Sequence, residues 1–156
     1  MAEKEAVKKK RKVVLASGTF DLLHMGHVRY LEEAKKAGGE NAELIVIVAR
    51  DRTVEKRKGA KPVVPEDHRR ALVEALKIVD EAILGFEDFS MDKVIEKIKP
   101  DIIAVGHDQN KIAEQVREVI ARKGLNIQVV QVGKFGKDEI NSSLKIKRKI
   151  IELYKR

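Results

Sequence analysis

The 156-residue chain contains no cysteine, so a disulfide framework, a thiolate metal site and a thiol nucleophile are all excluded. Its apolar runs are short. None approaches the ~18 residues of a membrane-spanning helix, and the charged first residues lead through a brief apolar run into a glycine turn, unlike a secretory leader. A cytoplasmic location, away from any membrane, is the simplest expectation. Aromatic side chains are scarce as well, four Phe and two Tyr in all. A surface of interleaved basic and aromatic residues for stacking nucleobases is therefore missing.

A formal charge of +8 invites a nucleic-acid reading, but its distribution points elsewhere. Residues 1–12 and residues 50–61 (RDRTVEKRKGAK) each carry six basic and two acidic side chains, while the remaining 21 basic and 21 acidic residues cancel. The first cluster, with Lys8 to Lys12, reads as a flexible, solvated tail over residues 1–11. The second lies inside the domain expected over residues 12–156, a length that suits one hydrophobic core.

Beyond the tail, apolar runs of strand length alternate with helical stretches, the pattern of a parallel sheet with helical crossovers. The expected strands are Lys12–Ala16, Leu44–Ala49, Asp80–Leu84, Ile102–Val105 and Asn126–Val132, mostly continuous aliphatic runs, as strands covered on both faces are. Helix ends are legible too. Val28, Leu31 and Ala34 line the first helix, which stops at Gly38 and Gly39. Pro65 opens a second, with Leu72, Val73 and Leu76 at helical spacing. Ser90 caps a third, with Met91, Val94, Ile95 and Ile98 inward and Pro100 at its end. Ile112, Val116, Val119 and Ile120 mark a fourth that Gly124 closes, and a last helix, capped by Ser142 or Ser143, is expected to bury Ile146, Ile150, Leu153 and Tyr154. The predicted fold class is α/β: a single-domain, Rossmann-like, doubly wound sheet of five parallel strands, with ligands at the carboxyl ends of the strands.

The chemistry gathers at the end of the first strand. Ser17-Gly18-Thr19-Phe20-Asp21 runs through Leu22-Leu23 into His24-Met25-Gly26-His27 at the mouth of the first helix. Glycine permits close backbone approach, and a helix N-terminus presents unpaired N–H groups with partial positive charge, so this junction suits an anion. Two imidazoles there can donate hydrogen bonds to phosphate oxygens. Histidines three apart also suit a metal, yet no cysteine and no Glu-rich segment completes a ligand set. Taken singly, His68 and His107 read as structural residues, Ser142 and Ser143 as helix caps, and the Lys/Arg-rich loop as solvated surface.

His24-Met25-Gly26-His27 resembles the His-x-Gly-His signature of the nucleotidylyltransferase superfamily, and Gly18 to His24 resembles its cytidylyltransferase-like branch. Asp67-His68-Arg69-Arg70 resembles that branch's Glu-His-Arg segment, with Asp67 for the glutamate, and Val79-Asp80 also fits. Val105-Gly106-His107-Asp108 resembles the Gly-x-Asp turn near the base, and Asn141-Ser142-Ser143-Leu144-Lys145-Ile146 resembles the terminal Ile-Ser-Ser/Thr-Thr-x-Ile motif, departing from it at Asn141 and Leu144. The resemblance implies transfer of a nucleoside monophosphate from a triphosphate to a phosphate-bearing acceptor, with release of pyrophosphate. It implies nucleotide contacts at Gly18, Thr19, Phe20, His24, Gly26, His27, Gly106, Asp108, Ser142 and Ser143, and catalytic roles for His24 and His27. It also implies a mobile pair, Lys56 and Lys58, that closes over the triphosphate, and a divalent cation, magnesium, with Asp21 helping to hold it or to orient a histidine.

Val48-Ala49-Arg50-Asp51-Arg52-Thr53-Val54 running into Lys56-Arg57-Lys58-Gly59, followed later by Asp108-Gln109, is similar to the archaeal members that join FMN to the AMP of ATP. ATP and FMN are then the expected partners, without nucleic acid or membrane, and a homodimer is expected by analogy with related enzymes. A flavin needs a flat apolar slot, for which Phe86, Phe89 and Phe135 are candidates. Two other readings stay open: a cytidylyltransferase using CTP with glycerol 3-phosphate or a phosphoalcohol, and a non-catalytic nucleotide- or RNA-binding module.

Overall fold

The computed structural model describes residues 11–87, 90–133 and 142–155. Five strands, β1 (Val13–Gly18), β2 (Glu43–Val48), β3 (Glu81–Leu84), β4 (Ile102–Val105) and β5 (Gln128–Gln131), pair in parallel in the order β3-β2-β1-β4-β5. The chain builds outward from β1 to β3, then crosses back to lay β4 on the free side of β1. β1 and β4 therefore flank the topological switch point, where loops splay apart and leave a ligand crevice.

Alternation along β1 decides which helices cover which face. Val14 and Ala16 pack with Leu31 and Ala34 of α1 (Met25–Ala37) and with Val73 of α3 (Glu66–Glu74). Leu15 points the other way, into a cluster with Met91, Val94 and Ile95 of α4 (Met91–Ile98) and Ala113, Val116 and Val119 of α5 (Asn110–Lys123). Both sheet faces are thus buried, and each fully covered Val, Ile or Leu contributes roughly 1.5–3 kcal/mol. The helix ends follow the expected chemistry: Ser90 Oγ accepts from the Lys93 N–H, and α5 closes on left-handed Gly124. Among the described residues no helix is long and apolar enough to cross a membrane.

Three expectations need correction. The basic segment after β2, anticipated as a loop, is a two-turn helix, α2 (Asp51–Lys58), ended by left-handed Gly59. Buried Val54 pins it, and its acidic first turn and basic last turn (Lys56, Arg57, Lys58) complement the helix dipole. In α3, Leu72 is half exposed while Val73 is buried. In α6 (Ser143–Tyr154) the anticipated buried stripe is covered only at Ile146, which is half-buried: Ile150, Leu153 and Tyr154 are 49%, 65% and 78% exposed. The reason is placement, because the described contacts of α6 are made to the β1–α1 turn by its first residues and not to a sheet face. Arg11, the last residue of the expected tail, bonds to the carbonyls of Asn41 and Ala42; residues 1–10 lie outside the described set.

Candidate active site

The carboxyl end of β1 enters a turn with left-handed backbone at two non-glycine residues, Phe20 (φ 55°) and Leu22 (φ 50°), a conformation costing roughly 1–2 kcal/mol each. Asp21, between them, fastens the turn. Its carboxylate oxygens accept the Val63 and Val64 N–H groups at 2.9 Å each, its carbonyl accepts the Ser143 hydroxyl, and Lys147 Nζ lies 3.6 Å away. Burial pushes the carboxyl pKa up, but these donors and the Lys147 charge outweigh it and hold it below the usual value. A carboxylate so engaged anchors the turn. Among the described residues no group of three or more His, Asp or Glu could hold a metal ion. Packing also fixes Gly18, where an added Cβ would sit 3.0 Å from the buried Phe20 ring.

At the mouth of α1 the two histidines cap the helix with their rings. His24 Nδ1 accepts the Gly26 N–H at 3.0 Å, and His27 Nδ1 accepts the His24 N–H at 3.2 Å. An accepting Nδ1 carries a lone pair, so in both neutral rings the proton is on Nε2. The rings stack with centroids 3.8 Å apart, and Phe20 lies 5.3 Å from His27. Two charged rings would repel at that distance. Burial lowers the His24 pKa; burial first, then His24 and Lys58, lower that of His27 to about 3 despite the pull of Asp21. Near neutral pH the junction therefore presents two uncharged Nε2–H donors at a positive helix end.

The basic helix α2 stands over this turn. Arg57 Nη2 lies 3.5 Å from Thr19 Oγ1, and Lys58 is near enough to His27 to depress its pKa. Lys56 is two helix positions from Lys58, about 200° round the axis. Lys56 and Lys58 thus leave α2 on different sides, and Arg57 stands with Lys58 beside the turn. The base of α2 is set by fully buried Arg69, which donates to the carbonyls of Thr19 and Ala49 (2.7 Å each) and Val64 (2.8 Å) and to Asp51 Oδ1 (2.7 Å). Glu66 adds bonds to the Asp51 N–H and to Arg50, whose Nε reaches the Gly85 carbonyl.

On the other side of the switch point, Gly106 donates its N–H to Gln109 Oε1 (2.7 Å), and Gln109 Nε2 donates to the Ser17 carbonyl (3.2 Å). Tyr30 adds a bond to the Ala104 carbonyl at 2.8 Å, and its phenol pKa is raised chiefly by burial. Asp108 is exposed and acts electrostatically on Tyr30. Ser142 caps α6 by accepting the Lys145 N–H, and Ser143 ties that helix end to Asp21.

The structure therefore brings together Gly18, Thr19, Phe20, Asp21, His24, Gly26, His27, Lys58 and Ser143. Phe86, a candidate for the flavin slot, packs into the α4–α5 cluster beneath Lys97, while Phe89, Phe135 and Asn141 lie outside the described residues. Sequence reasoning missed Arg57, Arg69, Tyr30, Glu66 and Gln109 as site-shaping residues. For Arg69 a signal existed: it stands four residues before buried Val73, on the apolar stripe of α3.

A five-stranded switch-point sheet with twin histidines capping the first crossover helix defines a nucleotidyl-transfer site, and the chain belongs to the cytidylyltransferase-like family, which matches residues 15–149. It is 48% identical over 139 residues to the FAD synthase of Methanothermobacter marburgensis, covering 89% of this chain and 85% of that one. With the FAD synthase of Ferroglobus placidus it shares 50% over 142 residues, covering 91% and 90%. Among solved structures, a lipopolysaccharide core biosynthesis protein from Thermoplasma volcanium is 41% identical with a TM-score of 0.73, covering 81% of this chain and all of that one. A pantoate-beta-alanine ligase from Francisella tularensis, 13% identical with a TM-score of 0.61, covers 99% of this chain and 76% of its own and shares the fold alone.

Proposed function

We infer that this chain transfers the AMP of ATP to the phosphate of FMN, giving FAD and pyrophosphate. Support for the substrates comes from relatives named FAD synthase, 45–50% identical over 89–93% of the chain. The observation that carries the chemistry is the β1–α1 junction, where backbone N–H groups occupy both histidine Nδ1 atoms and leave both Nε2–H groups to an anion.

The acceptor needs little activation. A phosphate monoester has a second pKa of about 6 and is ionised near neutral pH. Its oxygen attacks the α phosphorus, the bond to the bridging oxygen breaks, and pyrophosphate leaves on the opposite side, so the protein aligns two polyanions and stabilises developing charge. No covalent enzyme intermediate is needed. His24 and His27 donate to the phosphates, His27 nearest the α group, and each well-placed donor is worth about 3 kcal/mol. Gly18, Thr19, Phe20 and Gly26 let backbone approach the chain of phosphates. Arg57 and Lys58 supply charge over the triphosphate, with Lys56 farther out. Ser142, Ser143 and the N-terminus of α6 face the β and γ phosphates, and Gly106 and Asp108 position the nucleoside. Magnesium is held chiefly by the oxygens of the triphosphate, as that ion commonly is, with Asp21 of the β1–α1 turn to help hold it or to orient a histidine. Related enzymes commonly dimerise, and a homodimer would cover the exposed apolar side chains of α6.

The test crosses ATP and CTP with FMN and glycerol 3-phosphate and follows diphosphate. Release with ATP and FMN, matched by FAD, is the expected result. Turnover of CTP with glycerol 3-phosphate in its place would overturn the substrate assignment.

A further inference from the structure

The pairing of β1 with β4 stops at Ala16 and Ala104, although the two strands run on to Gly18 and Val105. Beyond that point the Gly18 carbonyl accepts the Ala49 N–H on the β2 side, and the Val105 carbonyl accepts the Val132 N–H on the β5 side. Backbone groups of successive residues in a strand face opposite neighbours, so the Ser17 carbonyl and the Gly106 N–H face each other across the gap, where the next rung of the ladder would run. They are bridged rather than bonded. The Gln109 carboxamide stands between them, its Oε1 accepting the Gly106 N–H at 2.7 Å and its Nε2 donating to the Ser17 carbonyl at 3.2 Å. A side-chain amide thus takes the place of a direct rung and keeps the strand ends apart by its own width.

We propose that Gln109 is a positioning residue for ATP: its amide fixes the spacing between the turn after β4, which receives the nucleoside, and the junction after β1, which grips the phosphates. The proposal rests on the phosphate and nucleoside roles inferred above. A nucleoside triphosphate contacts both strand ends at once, so a cleft already held at the right width aligns it without further rearrangement. Gln109 stands at the N-cap of α5 yet makes no capping bond, and its side chain is directed to the switch point instead. Tyr30 does not replace it at Ser17: the single hydroxyl proton serves the Ala104 carbonyl at 2.8 Å, with the Ser17 carbonyl farther off at 3.4 Å. The amide also lies beside the nucleoside end, since a Cβ added at Gly106 would come within 3.1 Å of Asp108 Oδ1 and 3.3 Å of Gln109 Oε1. From the other flank Gln131 Nε2 reaches the Gly106 carbonyl (3.4 Å) and Asn110 Oδ1 (2.9 Å), securing the turn to β5.

Gln109→Ala in the full-length enzyme is the test, because it removes the bridge and lets the two backbone groups close into a direct rung. The expected result is a KM for ATP raised about tenfold, with the KM for FMN and the inhibition constant of inorganic triphosphate each within about twofold of wild type. The thermal midpoint should stay within about 3 °C, since the freed N–H and carbonyl find each other or water. A residue that merely supports the fold gives another pattern, a lower midpoint with ATP, FMN and triphosphate weakened together, and that result overturns the proposal. So does a KM for ATP within about twofold of wild type. Triphosphate that fails to inhibit the wild type denies the phosphate junction an affinity of its own and overturns the division into two ends. If Gln109→Ala does not fold, Gln109→Glu is read instead. It can still accept the Gly106 N–H but sets a carboxylate oxygen against the Ser17 carbonyl, and the same selective rise in the KM for ATP is expected. A wild type that makes no FAD from ATP and FMN removes the functional reading itself, an outcome separate from any behaviour of the variants.

Discussion

His27 carries the most consequential chemistry at the residue scale, and its surroundings set its protonation. A free imidazole titrates near 6.5, whereas the folded-state value is lowered to about 3, chiefly by burial. Between those values the unfolded chain binds the extra proton. The contribution of this group to stability is therefore complete above about pH 6.5 and is lost as pH falls toward the folded value. Two outcomes follow: NMR should show the His27 ring unprotonated from pH 8 to 5, and urea unfolding should show stability declining over the lower part of that span. A His27 resonance titrating near 6.5 would contradict the buried, neutral assignment. The identity of this residue was legible in the sequence, because its spacing from His24 and Gly26 forms a motif. Its tautomer was not, since that depends on which backbone N–H each ring meets after α1 begins.

Elements place the charges, and α2 is the instructive case. Its residues were read as a basic loop, but Asp51 near the start, three basic residues in the last turn and Gly59 beyond are the marks of a short helix. Helical phase then decides which cations serve the site. Arg57→Ala and Lys58→Ala should each raise the KM for ATP about tenfold, and Lys56→Ala much less, as steady-state kinetics would show. An effect of Lys56→Ala equal to that of Lys58→Ala would mean that the segment unwinds when substrate binds. The strands and α1, α3, α4 and α5 were readable because each packs on a sheet face and shows the period of that face. The exposed face of α6 was not, because an amphipathic stripe reports a helix that could be covered, not one that is.

For the molecule as a whole, Arg69 joins the pieces that the site needs. One guanidinium holds the turn after β1, the end of β2, the start of α2 and the loop before α3. Removing it leaves three carbonyls and the Asp51 carboxylate short of donors, a loss of about 3–5 kcal/mol by analogy with broken buried pairs. Arg69→Ala should lower the calorimetric midpoint on the order of 10 °C. Arg69→Lys should recover only part of that, because an ammonium cannot reproduce the fork. A midpoint within a degree or two of wild type would show that the network is redundant. The central claim remains that the junction of β1 and α1 grips the phosphates of ATP during displacement. Diphosphate release from ATP and FMN, compared between wild type and His27→Ala, tests it most directly. The account predicts rapid release by the wild type and at least a hundredfold loss in the variant, on the order of 3 kcal/mol, with the fold retained. A wild type that liberates no diphosphate, or a variant within a few fold of it, would contradict the account.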